Sequence, residues 1–214
     1  VARAWATSKA LMETSDNLGI KIISKYCEDY PPKLLQIKNH PHLLHVKGDV
    51  KILNRDCIAI VGSRKPTKYG ICKAKEIASK IVQENYIVVA GLAKGIDSIA
   101  HGEAITSKGT TIAVLAHGLD LVYPKENNKL ADDIIKSGGV LVSEYSIGTK
   151  ATKSHFVNRN RIQTGLSFGV IVIESSIKSG TMHTAKFCKE QRRLLCVLKP
   201  PMNLIESPNF AGNQ

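Results

Sequence analysis

Small, polar and charged residues follow five short apolar runs in this chain, and these residues are the best placed to do chemistry. The clusters are Gly62-Ser63-Arg64, the loop 91–97, Ala116-His117-Gly118, Ser143-Glu144-Tyr145 and Glu174. Because the carboxyl ends of parallel strands lie along one edge of a sheet, we expect the clusters to converge on one crevice. The converging groups are basic and rich in glycine, so the expected ligand is an anion.

Two of the clusters have the composition of loops that approach a phosphate closely. In Gly62-Ser63-Arg64 the glycine lets the backbone come near a ligand, and the arginine adds a planar guanidinium that suits phosphate oxygens. In the second loop Gly91 and Gly95 bracket Lys94 directly after an apolar run. The alternative for Arg64 is an ordinary strand-to-helix turn with a solvated side chain.

The segment 155–161 reads His-Phe-Val-Asn-Arg-Asn-Arg and combines cations with an aromatic ring. Arg159 and Arg161 could bind phosphates while Phe156 offers a face on which a base stacks. The alternative is an arginine network that ties a loop to the core, held by Glu144 and Glu174. Ser179-Gly180-Thr181 opens a later helix and is a further potential phosphate site.

Several residues near these loops are expected to support the site. Asp97 is well placed to cap the helix that follows its loop. A lone histidine such as His101, on the first turns of that helix, is more often a packing or hydrogen-bonding residue than a catalyst. Glu144 and Glu174 could do acid–base work as a pair, but among so many cations we expect them to orient Arg or Lys side chains.

The elements that position these clusters follow from the apolar pattern. Strands are predicted at 58–61, 87–90, 111–115, 140–142, 170–173 and 194–198. Helices are predicted at 68–83, 96–106, 127–136, 159–164 and 181–191. Strands rich in Val and Ile that alternate with amphipathic helices predict a doubly wound α/β domain with a mostly parallel sheet, an extended Rossmann-like fold.

Residues 1–50 differ from this pattern and are predicted to form a small N-terminal extension, with residues 51–214 as the Rossmann-like domain. The extension has helical character in residues 1–14 and extended candidates at 20–24 and 43–47. Since the chain begins at Val1 rather than at a methionine, we expect it to be a fragment of a longer protein.

The composition favours a polyanionic partner. Lys and Arg number 30 against 18 acidic residues, a formal net charge of +12, although a basic surface without a specific role would give the same balance. The five cysteines show no metal-ligand spacing and fit a reducing cytoplasm; Cys57, Cys72 and Cys196 lie in apolar patterns and are expected to be buried. No apolar run approaches the ~18 residues of a spanning helix.

Taken in order, short motifs over residues 30–199 resemble the DNA-processing protein A family, also called DprA or Smf. They are Tyr30-Pro31, Lys47-Gly48, residues 60–64, the loop 91–97 with Ala100-His101, Gly118-Leu119-Asp120, Tyr123-Pro124, Ser143-Glu144-Tyr145, Phe156 with Arg159-Asn160-Arg161, Glu174 with Ser179-Gly180, and Thr184-Ala185. The resemblance implies a cytoplasmic bacterial protein that binds single-stranded DNA and helps to load the RecA recombinase in natural transformation. It also implies a homodimer with no established enzymatic turnover, no cofactor and no metal.

The resemblance also implies which residues form the DNA site. The expected DNA contacts are Gly62, Ser63, Arg64, Lys94, Gly95, His155, Phe156, Arg159, Asn160, Arg161, Ser179, Gly180 and Thr181. The expected supporting residues are Gly91, Asp97, His101, Glu144 and Glu174. The chain departs from the family pattern at Lys199-Pro200-Pro201 and at Met182-His183.

Two enzyme classes are alternatives to a binding protein. A nucleotide phosphoribohydrolase of the related Rossmann-like group would hold a nucleoside monophosphate in the same crevice and cleave it with an Arg–Glu pair, but residues 174–181 keep only a Gly-Thr of that group's loop. A dinucleotide-dependent dehydrogenase would need the glycine fingerprint G-x-G-x-x-G, which Lys65-Pro66 interrupt here.

Overall fold

The computed structural model describes the backbone of residues 2–214 and the side chains of residues 8–214. The seven described helices are α1 (Ala2–Asn17), α2 (Pro32–Leu35), α3 (Lys68–Gln83), α4 (Ile96–Thr106), α5 (Asn128–Lys136), α6 (Lys153–Leu166) and α7 (Gly180–Glu190). The eight described strands are β1 (Ile20–Ser24), β2 (Leu43–Gly48), β3 (Cys57–Val61), β4 (Ile87–Ala90), β5 (Thr111–Val114), β6 (Val140–Ser143), β7 (Gly169–Val172) and β8 (Leu194–Val197).

All described strands belong to one sheet in the order β1-β2-β6-β5-β4-β3-β7-β8. The strands β6, β5, β4, β3, β7 and β8 pair in parallel, in that order. Strand β2 pairs antiparallel with β6, and β1 pairs antiparallel with β2. Apolar side chains cover both faces of the parallel part, with α3, α4 and α5 on one face and α6 on the other. The predicted doubly wound α/β fold is confirmed.

The predicted N-terminal extension contributes to this same sheet. From Ile20 onward it supplies β1 and β2, and its buried Leu34 and Leu44 belong to the same core cluster as Ile112 and Val114 of β5. The helix predicted within residues 1–14 corresponds to α1, while Val1 lies outside the described residues. This part of the chain is therefore continuous with the Rossmann-like sheet from its first strand.

The main difference from the predicted elements is helix α6, which begins at Lys153 rather than near Arg159. Thr152 caps it, since its hydroxyl accepts a hydrogen bond from the His155 backbone N–H at 3.2 Å. The first turn is polar and has no apolar stripe, so hydrophobic periodicity alone did not detect it. The segment 155–161 is thus helical throughout.

The cysteines are only partly placed as expected. Cys57 is buried, but Cys72 and Cys196 are exposed. Cys196 lies on β8, which forms an edge of the sheet, so an apolar pattern there does not produce full burial. Among the described residues, no helix combines the length and hydropathy needed to cross a bilayer.

Candidate nucleic-acid interface

A cavity of about 670 Å³ opens at the carboxyl ends of β3 and β7. The chain winds outward from β3 through β4, β5 and β6, and then returns to place β7 on the other side of β3. This reversal is the topological switch point at which open α/β sheets bind ligands. Of the five clusters predicted to converge, Gly62-Ser63-Arg64 and part of the loop 91–97 line this cavity, whereas residues 116–118, residues 143–145 and Glu174 do not. The predicted convergence is therefore only partial.

Most of the predicted contact residues line this cavity. The lining includes Gly62, Ser63, Arg64, Phe156, Arg159, Asn160, Ser179, Gly180 and Thr181, together with the predicted supporting residue Asp97. Lys94 does not line it, but borders a smaller notch beside it. Gly95, His155 and Arg161 line neither space.

The turn after β3 is held in place by the loop after β4. The Ile96 backbone N–H donates to the Ser63 carbonyl at 3.1 Å. Gly95 has a φ of +80°, and a Cβ there would overlap the Ser63 carbonyl and the Arg64 backbone. Gly95 therefore shapes the site from behind, by allowing the two loops to touch.

Arg64 is exposed, and its guanidinium carbon lies 5.4 Å from the centre of the Phe156 ring. Tyr123 packs against the same ring, with centroids 5.7 Å apart and planes tilted by 50°. Phe156 thus contacts a cation and a second aromatic ring, and the more exposed ring at the rim is Tyr123, which is 53% exposed. Sequence analysis did not identify Tyr123 as a contact residue.

Glu174 anchors the start of α3. It is fully buried and accepts hydrogen bonds from the Thr67 backbone N–H, the Thr67 hydroxyl and the Asn209 amide. A Cβ at Gly70 would overlap the Glu174 carboxylate, so a glycine is needed there. The expectation that Glu174 orients an Arg or Lys side chain is wrong, because its described partners are a backbone amide, a hydroxyl and a side-chain amide.

Arg159 lines the floor of the cavity, but it is only 4% exposed. Its guanidinium donates to the Val114 carbonyl at the end of β5, and a Cβ at Gly91 would overlap it. Burial lowers the pKa of Arg159 to about 10, so the side chain stays protonated at neutral pH. Gly91 therefore makes room for a structural arginine.

Asp97 is the acidic neighbour of that arginine. Its carboxylate accepts the Gly91 backbone N–H at 2.9 Å. Burial raises the pKa of Asp97, and the charge of Arg159 opposes that rise. The expectation that Asp97 caps α4 is wrong: the cap position is Gly95, which makes no side-chain hydrogen bond, and Asp97 closes its own loop instead.

His101 is fully buried and bonds to Thr111 through Nδ1, at 2.7 Å. The Thr111 hydroxyl donates to the Val88 carbonyl, so Nδ1 of His101 carries the proton and donates to the hydroxyl. Burial, with a smaller effect of the Arg159 charge, lowers the pKa of His101 to about 3. His101 is therefore a neutral hydrogen-bonding residue, as the sequence analysis favoured.

Arg161 is placed away from the cavity, on the side of α6 that faces the N-terminal segment. It forms an ion pair with Glu144, and both side chains are about 15% exposed. Its Nε also donates to the Asn39 carbonyl at 2.8 Å. The structure thus shows the arginine network considered as the alternative, with Glu144 in the expected orienting position.

His155 is likewise outside the cavity. Its ring stacks on Tyr145, with centroids 4.1 Å apart and planes 21° from parallel. Because the ring packs on the loop after β6, this histidine supports the fold at the start of α6.

Two cations that sequence analysis missed line the cavity, Lys153 and Lys178. Both are exposed, and neither they nor Arg64 forms an ion pair with any residue of the described part of the chain. Lys178 directly precedes Ser179-Gly180, so its place beside a helix start was a usable signal. Lys153 required the start of α6 to be known.

The N-terminus of α7 completes the wall. Its cap residue Ser179 makes no side-chain bond to the helix, because its hydroxyl is paired with that of Ser175 at 2.8 Å. The backbone N–H groups of the first turn, at Gly180 and Thr181, therefore lack a side-chain cap. Such a helix start attracts anions through its N–H groups and its dipole. Lys178 adds a full positive charge at the same place.

The arrangement is suited to binding phosphate groups next to aromatic rings. Its free charges are positive, and its lining carboxylate Asp97 is buried and engaged. His183 and Asn209 also line the cavity, although sequence analysis left His183 unassigned and did not consider Asn209. Within residues 8–214, no group of three His, Cys, Asp or Glu side chains is placed to hold a metal ion.

Comparisons with known proteins show to which family the chain belongs. The family model described as DNA recombination-mediator protein A matches residues 21–214. DNA processing protein DprA of Bacillus subtilis is 42% identical over 176 residues, which are 82% of this chain and 59% of that protein. The chain thus spans little more than half the length of this relative, and 47% of protein Smf of Escherichia coli.

Solved structures show the same fold. DNA processing protein A of Streptococcus pneumoniae superposes with a TM-score of 0.84 at 35% identity, over 91% of this chain and 67% of that one. The Helicobacter pylori protein, whose structure concerns its single-stranded DNA binding mode, gives a TM-score of 0.80 at 28% identity, over 91% of this chain and 85% of that one. This chain belongs to the DNA recombination-mediator protein A family, also known as DprA or Smf.

Proposed function

We propose that this chain binds single-stranded DNA in the cavity at the carboxyl ends of β3 and β7. The observation that carries the proposal is the group of unpaired cations there: Arg64, Lys153 and Lys178 lie around one cavity with the uncapped start of α7. Because these cations form no ion pair within the described part of the chain, they can bind phosphates, and such binding releases counterions from a nucleic acid.

The size and lining of the cavity suit a nucleotide unit. A volume of about 670 Å³ falls within the roughly 300–1,000 Å³ of small-molecule sites. A phosphate would lie at Lys178 and the first turn of α7, and a base would lie against the ring of Phe156. Because stacking on a side chain needs an unpaired base, the site favours single strands over duplex DNA.

Membership of the family supports a proposal for the wider role. The Helicobacter pylori relative is described by its single-stranded DNA binding mode, which supports the same ligand here. We further propose that the whole protein protects incoming single strands and helps to load RecA in natural transformation, as a cytoplasmic homodimer without enzymatic turnover. Stimulation of RecA assembly on single strands and sedimentation of the purified protein would test these two parts.

The phosphoribohydrolase alternative has less support from the geometry. It requires an Arg–Glu pair in the crevice, whereas the described Arg–Glu pair, Arg161 with Glu144, lies outside it. Glu174 is held by Thr67 and Asn209. Release of adenine from AMP by the purified protein would establish this alternative, and its absence is expected.

The central test is the salt dependence of binding to a fluorescent oligo-dT, measured by anisotropy between 50 and 200 mM KCl. Three cations that neutralise three phosphates give a slope of log affinity against log salt of about −2 for a single strand. Lys178→Ala should reduce the magnitude of that slope by about 0.7. Excess duplex DNA should compete poorly.

The matched control is Lys136→Ala, which removes the same charge from an exposed residue at the end of α5, the opposite edge of the sheet. It should leave the slope unchanged. A wild-type slope near zero, or equal effects of Lys178→Ala and Lys136→Ala, would contradict binding in the cavity.

A further inference from the structure

A small notch of about 60 Å³ lies beside the cavity. It shares four lining residues with the cavity, so the two spaces are adjacent. Its lining is Arg64, Ala93, Lys94, Tyr123, Pro124 and Phe156. A chain that leaves the cavity over Phe156 would enter this notch next.

Tyr123 gives the notch an aromatic surface. Its side chain is 53% exposed although one side of the ring packs on Phe156. An exposed ring supported from behind loses little conformational freedom when a base stacks on it, and such stacking contributes about 1–3 kcal/mol per base. The ring is therefore suited to hold a base outside the main cavity.

The segment that carries Tyr123 is fixed next to the loop that carries Lys94. The Asn127 side-chain amide donates to the Leu92 carbonyl at 2.8 Å. Leu92 itself is fully buried and adopts a left-handed backbone conformation, with a φ of +56°. The spacing between the aromatic ring and the lysine is thus set by the fold.

Lys94 already has a carboxylate partner. Its ammonium lies 2.7 Å from the Glu126 carboxylate, and the side chains are 56% and 65% exposed. Ion pairs this exposed contribute about 0–1 kcal/mol, so a phosphate can displace the carboxylate. The hydrogen bond from Lys94 lowers the pKa of Glu126, so the carboxylate is negatively charged in the ion pair that a phosphate has to displace.

From this juxtaposition we propose that the notch is a second nucleotide subsite, in which Tyr123 stacks a base, Lys94 binds its phosphate and Glu126 weakens the binding by competing for Lys94. The inference rests on the proposed function, since it extends the path of the same single strand. It adds a stacking role for Tyr123, which lines both spaces, and a negative determinant of affinity, Glu126, which lines neither.

The test uses two labelled 12-mers with equal numbers of phosphates, oligo-dT and a fully abasic strand. Tyr123→Ala should weaken oligo-dT binding about fivefold to a hundredfold and leave binding of the abasic strand unchanged. Tyr123→Phe should keep wild-type affinity, and Tyr123→Leu should lose it while preserving an apolar contact with Phe156. Tyr86→Ala, at the opposite edge of the sheet, is the matched control.

Glu126→Gln tests the competing carboxylate. It should strengthen binding of both strands by up to about fivefold, and Lys94→Ala should reverse that gain. Glu76→Gln removes the same charge from another exposed ion pair, on α3, and should have no effect.

The outcomes separate the subsite from the proposed function. Wild-type protein that binds neither strand refutes both. Wild-type protein that binds oligo-dT while Tyr123→Ala affects both strands equally, or while Glu126→Gln fails to strengthen binding, refutes the second subsite alone.

Discussion

The exposed lysines that line the cavity and the two buried or paired arginines of α6 use positive charge in opposite ways. On the wall, Lys153 and Lys178 are exposed and have no ion-pair partner within the described chain. In contrast, Arg159 donates to the Val114 carbonyl on β5, and Arg161 is paired with Glu144. Lys153 and the two arginines belong to the same helix, eight residues or fewer apart.

The difference shows that a cation near a binding motif is not by itself a ligand group. A guanidinium that is hydrogen-bonded to carbonyls or carboxylates cannot exchange them for a phosphate without leaving those buried polar atoms unsatisfied. The exposed lysines satisfy no buried polar atom, so they can bind a phosphate without this cost. Substitution of these residues tests the distinction, because it shows which cations stabilise the fold and which are free to bind a ligand.

The largest effect is expected for Arg159→Ala. It leaves Asp97 buried without its neighbouring charge and the Val114 carbonyl without its donor, so the free energy of unfolding should fall by about 3–5 kcal/mol. Urea denaturation measures this, with Lys178→Ala as the control. A loss in the free energy of unfolding below about 1 kcal/mol would instead mean that the fold does not depend on Arg159, as expected for the exposed cations.

Arg161→Ala should lower the free energy of unfolding by about 2 kcal/mol, because it breaks charged hydrogen bonds to Glu144 and Asn39. The salt slope of oligo-dT binding should stay at the wild-type value. Glu144→Gln should destabilise in the same direction. A reduced slope for Arg161→Ala would instead mean that this arginine reaches the DNA.

The pH dependence of stability sharpens the contrast, since His101 belongs to the buried region beside Arg159. Its folded pKa of about 3 lies below the unfolded value of 6.5, so the unfolded state takes up the proton first as the pH falls. The free energy of unfolding should therefore decrease from pH 7 to pH 5, by about 2 kcal/mol for this group.

His101→Asn isolates that contribution, because asparagine offers a similar donor to Thr111 and does not titrate. Urea denaturation at pH 7 and pH 5 should show a smaller loss in the variant. His45 and His117, whose pKa values burial also lowers, remain in both proteins. Equal losses in the two proteins would show that His101 is protonated without cost.

The smallest effect on stability is expected for Lys153→Ala. Removing an exposed, unpaired lysine should change the free energy of unfolding by less than about 0.5 kcal/mol. It should nevertheless reduce the salt slope of oligo-dT binding by about 0.7. Thermal unfolding and anisotropy on the same sample check both statements, and destabilisation comparable to that of Arg161→Ala would remove the distinction between the two regions.

Much of the architecture could be predicted from local patterns. Apolar runs and helical stripes identified β3 to β8 and most helices to within a residue or two, because burial on a sheet or a helix face imposes a short-range period. Gly62-Ser63-Arg64 and Ser179-Gly180 were placed correctly around the cavity, since each follows a strand of the parallel sheet. The start of α6 was missed, because a threonine cap and a polar first turn leave no hydrophobic signal.

Whether each cation is free to bind a ligand depends on the tertiary structure. Arg161 is bonded to Glu144, 17 positions away in the sequence, and to the Asn39 carbonyl, 122 positions away. No local sequence pattern covers such separations. Tyr123 and Lys94 line the same notch, and the Asn127 side-chain amide joins the two segments that carry them. Local apolar patterns were enough to predict the alternation of strands and helices, and hence the edge of the sheet at which we propose that the ligand binds, because secondary structure depends on neighbouring residues. Which cations face that edge unpaired depended on long-range packing, because charge compensation follows distance in space and not separation along the chain.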